Sequence, residues 1–239
     1  MTLEISPQPA NTLQAVLFDM DGLLVDTEGL WFGVEVAAMA ELGCHLGAEH
    51  AERVVGGPMD RVVRYLIEVC RPDVTQAELE SMIVAGMVEA LRRGVTLQPG
   101  AKELLAQVAA ERLPCALVSS SHRPMMDVVL NSIGRRHFPV TVAGDEVTRM
   151  KPSPEPYLTA AARLGVDPAH SVVLEDSPPG VAAGEAAGCV IVAVPSVAPI
   201  PAVNGRLVVS SLEDLSLGRL RMLVRRERPP RAERPPRAG

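Results

Sequence analysis

A chain of 239 residues, 47% of them apolar, can bury one sizeable core and carry a smaller insert without a covalent framework. The formal net charge is −6, but Arg221 to Arg237 holds seven arginines against Glu227 and Glu233, so a tail of +5 follows a body near −11. An acidic body excludes a general nucleic-acid binder and leaves attraction of an anionic substrate to local groups.

Cys44, Cys70, Cys115 and Cys189 are widely spaced and form no Cys-x-x-Cys pair, which predicts reduced core residues rather than a zinc site or a disulfide framework. The first fourteen residues lack a basic region followed by an apolar run. The apolar stretch Cys189 to Val203 is broken by Pro195, Pro199 and Pro201, so a cytoplasmic protein without a membrane span is expected. Lys102 and Lys151 are the only lysines beside twenty-one arginines, and a Lys in such a chain marks a place for a compact point charge.

In chain order, residues 1–14 read as a loose lead-in. Ala15 to Phe18 is a fully buried strand, and it runs straight into Asp19, Asp21 and Asp26, with Gly22 to allow a sharp turn. Like charges at the mouth of an apolar strand repel and lose solvation, so they call for compensation, most simply by a divalent cation. From Leu30 to about Arg93 the apolar spacing is helical (Trp31, Val34, Ala38, Leu42; Val62, Leu66, Val69). Gly56-Gly57-Pro58 interrupts it, and Thr75 before Glu78 has capping-box spacing. This region is an all-helical insert.

Beyond Val95 helices and short apolar strands alternate. Strands are predicted at Pro114–Val118, Val140–Ala143, Ser171–Leu174 and Val190–Val194, with Leu207–Val209 as a further short one. Helices follow Pro99-Gly100 and span Pro124 to about Ile133, Pro154–Leu164 and Pro178–Ala187. The pattern predicts an α/β fold: a doubly wound, Rossmann-like parallel sheet that strand one joins, with the all-helical cap inserted into it. The expected division is a discontinuous core domain of residues 1–28 and 95–220, a helical cap of 29–94, and a disordered Arg/Pro-rich tail of 221–239. The tail repeats Glu-Arg-Pro-Pro-Arg-Ala at 227 and 233 and reads as a solvated end, with partner binding the sharper alternative.

Ligands of doubly wound sheets bind outside the carboxyl ends of the strands. There the sequence places Asp19 and Asp21, then Ser119-Ser120-Ser121, Glu175-Asp176 and, after a loop, Lys151. Each has an ordinary local explanation as turn, loop or helix cap. Together at four strand ends they match Mg²⁺ plus phosphate: hard oxygen ligands for the ion, hydroxyls and an ammonium for phosphate oxygens. An EF-hand places its glycine after a third carboxylate and between helices; a receiver-type domain has no inserted cap and carries its phospho-accepting Asp later.

Asp19-Met-Asp-Gly-Leu-Leu-Val-Asp-Thr27, Leu117-Val-Ser119, Lys151-Pro-Ser-Pro-Glu-Pro-Tyr157 and Leu174-Glu-Asp-Ser-Pro-Pro-Gly180 resemble, in order, the four motifs of the haloacid dehalogenase-like hydrolase superfamily. The resemblance covers Ala15 to about Leu215 and is nearest the β-phosphoglucomutase and sugar-phosphatase branch. It implies that Asp19 is the nucleophile forming an aspartyl-phosphate and that Asp21 is the general acid and base. It implies Mg²⁺ on Asp19, the Asp21 backbone carbonyl and Asp176, with Glu175 a further or outer ligand, and phosphate grip by Ser119, Ser120 and Lys151. The second Asp favours phosphoryl transfer over carbon–halogen chemistry.

The implied protein is a monomeric phosphoric monoester hydrolase acting on a small phosphorylated metabolite, without nucleic acid or membrane. The alternative is a phosphomutase. The β-phosphoglucomutase cap has a histidine and a Lys-Gly-x-x-Arg type loop where this chain has Trp31 and Gly56-Gly57-Pro58-Met59-Asp60. Trp31 is either a stacking surface for a sugar or a core residue. Asp26 reads as a structural residue at the cap hinge, with hinges expected near Thr27–Leu30 and Arg93–Thr96.

Overall fold

The computed structural model describes residues 12–54 and 59–226. The lead-in 1–11, the Gly56-Gly57-Pro58 interruption and the tail repeats from 227 onward lie outside the described residues. Six parallel strands form one sheet: β1 (Ala15–Phe18), β2 (Cys115–Val118), β3 (Val140–Val142), β4 (Ser171–Glu175), β5 (Val190–Ala193) and β6 (Arg206–Val208), in the spatial order β3-β2-β1-β4-β5-β6. The four central strands are buried at every residue, because helices cover both faces. That is why they read as continuous apolar runs and not as alternating ones. Leu207–Val209, expected as a possible further strand, is displaced by one residue and pairs with β5.

Successive residues of each strand feed two cores. Val16, Phe18, Leu117, Val172 and Leu174 pack on one side with Leu104 of α5 (Ala101–Ala110) and Met126 of α6 (Arg123–Ile133). Ala15, Leu17, Ala116, Val173 and Ile191 pack on the other with Tyr157 and Ala160 of α7 (Glu155–Leu164) and Val181 of α8 (Pro178–Ala186). Phe18 is opposite both Leu117 and Leu174, each one residue before the end of its strand, so β1, β2 and β4 finish within a residue of one another and deliver their next residues to one rim.

Between β1 and α5 lies a helical layer of α1 (Glu28–Glu41), α2 (Ala51–Val54), α3 (Met59–Cys70) and α4 (Gln76–Arg93), with its own core of Met39, Val63, Leu66, Leu79 and Ile83. The α4 start is a capping box: Thr75 Oγ1 accepts from Glu78 N at 3.3 Å and Glu78 Oε2 accepts from Thr75 N at 2.8 Å. The two connections to the sheet run side by side. Asp26 N donates to Thr96 O and Gln98 N to Leu24 O, each at 2.9 Å.

Two expectations are corrected. Cys44 and Cys70 are not reduced core thiols: they form a disulfide with Cα atoms 5.9 Å apart, which ties the loop after α1 to the last residue of α3, both helices packing on α4. Cys115 and Cys189 are free and buried, as expected. The tail does not begin at 221, since α9 (Leu217–Arg226) runs through that point. Leu217, Leu220 and Val224 are buried on the core, and this i, i+3, i+7 spacing outweighs the arginines between them. No helix among the described residues is long and apolar enough to cross a membrane.

Candidate active site

The carboxyl rim is built by continuing the strand hydrogen bonds one residue further. Asp19 N donates to Leu174 O and Ser119 N to Val142 O, each at 3.0 Å, which fixes both side chains at the edge of the sheet. Gly22 then turns the chain in the left-handed region at φ +76°, and a Cβ there would overlap Asp176 Oδ2. Glycine is required twice over, by conformation and by close approach.

Lys151 enters from the loop after β3 and spends all three of its protons: on Asp19 Oδ1 at 2.5 Å, Glu175 Oε1 at 2.6 Å and Val118 O at 2.9 Å. Its ammonium also lies 4.9 Å from the Tyr157 ring centroid. Glu175 is wholly buried and its oxygens are saturated. Oε1 accepts from Lys151 and Tyr157 Oη, and Oε2 from Asp176 N, Ser177 N and Ser177 Oγ. Asp176 Oδ2 accepts from Ser196 Oγ.

The electrostatics follow from this crowding. Burial, and after it Glu175, Asp176 and Asp21, push the Asp19 carboxyl well above the ordinary range against the pull of Lys151. Burial and Glu175 bring Asp176 up to about 8. Burial alone would lower the Lys151 ammonium, but Asp19 and Glu175 outweigh it and hold it protonated. Tyr157 is raised by burial and by Glu175, so it stays a phenol that donates.

Asp19, Glu175 and Asp176 present carboxylate oxygens within 4.8 Å of one another, all buried. With all three ionised, Lys151 is the one cation among the described residues that pairs with them. The shortfall of two positive charges and the all-oxygen donor set fit a hard divalent ion such as Mg²⁺. Glu175, already engaged by five donors, fits a place behind the ion better than one upon it.

Asp21 has a different environment from Asp19. Its Oδ2 accepts from Ser119 Oγ at 2.9 Å and Ser121 Oγ at 2.7 Å, and its Oδ1 from Thr27 Oγ1 at 3.0 Å. Ser119 Oγ in turn accepts from Ser121 N at 2.9 Å. Ser120 is exposed at the mouth. A cavity of about 150 Å³ brings Asp19, Asp21, Ser119, Ser120, Lys151 and Asp176 together. Asp26 is exposed and outside it, while Trp31 is half-buried, packs on both the sheet and the cap cores, and also lines the cavity.

The sequence reading placed Ser121 on the rim without a role, and it missed Tyr157, Ser196 and Thr27 as partners of these groups and Glu28 and Glu35 as cavity residues. Of those missed, Thr27 and Tyr157 carried a signal, since both lie inside recognised motifs.

By fold and by site, the chain is a capped α/β hydrolase. It belongs to the haloacid dehalogenase-like hydrolase family, whose model matches residues 16–194. It is similar to hexitol phosphatase B of Escherichia coli K12, 33% identical over 210 residues that cover 86% of this chain and 93% of that protein. It is also similar to the bifunctional riboflavin kinase/FMN phosphatase of Arabidopsis thaliana, 33% identical over 187 residues, 76% of this chain but only 48% of that longer protein. Among solved structures, CbbY from Rhodobacter sphaeroides in complex with phosphate superposes with a TM-score of 0.78 at 27% identity, covering 87% of this chain and 99% of that one.

Proposed function

We propose that this protein is a Mg²⁺-dependent phosphatase hydrolysing a small phosphorylated metabolite, a sugar phosphate or similar phosphomonoester, through an aspartyl-phosphate on Asp19. The observation that carries the reading is the split between two aspartates on one rim: Asp19 sits among buried charges beside Lys151, and Asp21 is held by three hydroxyls facing the same cavity. Family membership and the phosphatases among its relatives support it.

In the reaction, Asp19 Oδ attacks phosphorus as the ester P–O bond breaks, and Asp21 gives its proton to the departing alcohol oxygen. Asp21, now a carboxylate, then takes a proton from the water that attacks the aspartyl-phosphate, and phosphate leaves with Asp19 restored. Lys151 offsets charge on the phosphoryl oxygens and Ser119 and Ser120 donate to them. Lys151 and Ser119 must each exchange a present acceptor for the substrate. When bound by Asp19, the Asp21 carbonyl and Asp176, with Glu175 behind, Mg²⁺ supplies charge neutralisation for the incoming phosphate. The cap helices exclude bulk water from the cavity they help to line.

Asp19→Asn removes the nucleophile in a nearly isosteric way, so Mg²⁺-dependent phosphate release from p-nitrophenyl phosphate is expected to vanish while the folded circular dichroism spectrum persists. Undiminished turnover by that variant overturns the assignment. Glucose 1-phosphate with its bisphosphate activator separates the mutase reading: the phosphatase yields free phosphate or nothing, the mutase glucose 6-phosphate.

A further inference from the structure

The first cap helix carries a second set of groups in the cavity. Glu28, Trp31 and Glu35 are spaced i, i+3, i+7, which puts them on one face of α1, and all three line the cavity that holds Asp19 and Lys151. A solvent-facing helix would show glutamates in water. Glu35 is instead only 2% exposed.

Glu28 Oε2 and Glu35 Oε2 are the two buried side-chain oxygens among the described residues that have no hydrogen-bond partner. Every other buried acid of the site has donors, as Asp19, Glu175 and Asp176 show. A buried oxygen left without a donor is costly, and two on one face of one cavity point to donors that arrive with a ligand. Trp31 lies between them as a flat surface, and Val54, Met59 and Met125 complete an apolar wall. Oxygen acceptors around an aromatic face suit a compound with several hydroxyls and an apolar C–H side.

The charge decides against other leaving groups. An ester whose alcohol part carries a carboxylate would bring a third negative group against Glu28 and Glu35, while among the described residues lining the cavity Lys151 is the sole Lys or Arg and is committed to Asp19 and Glu175, and His122 is paired with Glu80. A neutral hydroxyl meets no such cost and suits Glu35 in either protonation state. Burial and then Glu28 raise its carboxyl to about 7.

We infer that Glu35, assisted by Glu28, is a specificity-determining residue: the two carboxylates accept from hydroxyls of the substrate's alcohol portion and select phosphate esters of neutral polyhydroxy compounds over esters that bear a carboxylate. This rests on the reading of the cleft as a phosphatase site, and it narrows the substrate class to sugar and polyol monophosphates.

The test compares kcat/KM of the wild type, Glu35→Gln and Glu35→Leu on sorbitol 6-phosphate, 2-phosphoglycolate and p-nitrophenyl phosphate. The wild type is expected to prefer the polyol ester to phosphoglycolate. Glu35→Leu should lose about tenfold or more on the polyol ester relative to p-nitrophenyl phosphate, the size expected when a site built to bond a hydroxyl loses its partner. Glu35→Gln, which keeps an acceptor oxygen, should lose less, and both variants should discriminate less against phosphoglycolate. Equal falls on all three esters, or a wild-type preference for phosphoglycolate, overturn the inference.

Binding keeps the two readings apart. In Asp19→Asn, where no turnover is needed, sorbitol 6-phosphate should raise the melting temperature, and the added Glu35→Leu change should abolish that rise. An equal rise in both proteins refutes the role of Glu35. Absence of wild-type p-nitrophenyl phosphate hydrolysis refutes the phosphatase reading instead.

Discussion

Thr27 Oγ1 donates to Asp21 Oδ1 across 3.0 Å, and this bond joins the N-cap of the first cap helix to the proposed acid/base. Thr27 is 1% exposed and spends its hydroxyl on Asp21 rather than on capping its own helix. Asp21 therefore takes its orientation from the cap side as well as from Ser119 and Ser121 of the sheet. Thr27→Val keeps the shape and removes the donor. It should lower kcat by about tenfold with KM little changed, in the range for a general acid/base left less well oriented. Thr27→Ser should restore most of the loss, and a kcat equal to wild type in Thr27→Val would dismiss the contact as incidental.

The buried cation makes a second prediction. Lys151 and its two carboxylate partners are all nearly inaccessible, and Lys151→Met would leave Asp19 and Glu175 without compensation. Removing one partner of a buried ion pair costs about 3–5 kcal/mol, which urea unfolding in metal-free buffer would read directly. The deficit has a definite pH sense. Asp19 is raised by burial, so its penalty exists where the carboxyl is ionised and disappears as it protonates. The loss should be larger at pH 8 than at pH 5, and a pH-independent deficit would mean that lost packing, not charge, is responsible.

How far this site could be read beforehand depended on where each group sits along the chain. Asp19, Ser119 and the Glu175-Asp176 pair come directly at the end of a buried apolar run, so strand prediction alone places them on one rim. Tyr157 and Ser196 are different. Their hydroxyls meet Glu175 and Asp176 only after α7 and the loop beyond β5 have packed, and nothing local to them announces it. Glu35 reads as an ordinary polar helix position, and only tertiary burial makes it unusual. Cys44 and Cys70 lie 26 positions apart with no spacing signature, so the end of α3 had to be placed against the loop after α1 before the pair could be seen. Helix α9 was legible in Leu217, Leu220 and Val224, but the arginine content between them had the opposite sense.

Metal binding should be linked to protons. Without the ion, burial and Glu175 hold the Asp176 carboxyl at about 8, so at neutral pH it carries a proton that Mg²⁺ must displace. A raised folded pKa means that the proton is lost only as pH rises through that value. Apparent Mg²⁺ affinity should therefore climb by at least about tenfold per pH unit between pH 6 and 8, because the Asp19 carboxyl is raised as well. Isothermal titration in two buffers of different ionisation enthalpy would count the protons released. Affinity that does not change from pH 6 to 8 would show that Asp176 holds no proton for the ion to displace.

Glu35 should leave its mark on stability even without substrate. Burial, with Glu28 adding to it, lifts its carboxyl from 4.5 to about 7 in the folded protein. The fold thus favours the protonated acid. Its contribution is fully present below the unfolded pKa, begins to fall above about pH 4.5 and is lost once the pH has passed through about 7. Glu35→Gln is uncharged throughout, so the wild type should lose about 2–3 kcal/mol relative to that variant between pH 4.5 and 8. Measuring both proteins by denaturant unfolding at several pH values in the same metal-free buffer cancels the titration of the carboxylates they share, including Asp19, Asp176 and much of Glu28. Parallel stability curves would mean that Glu35 ionises freely in the cavity, and the cost assigned to its unpartnered oxygen would then be wrong.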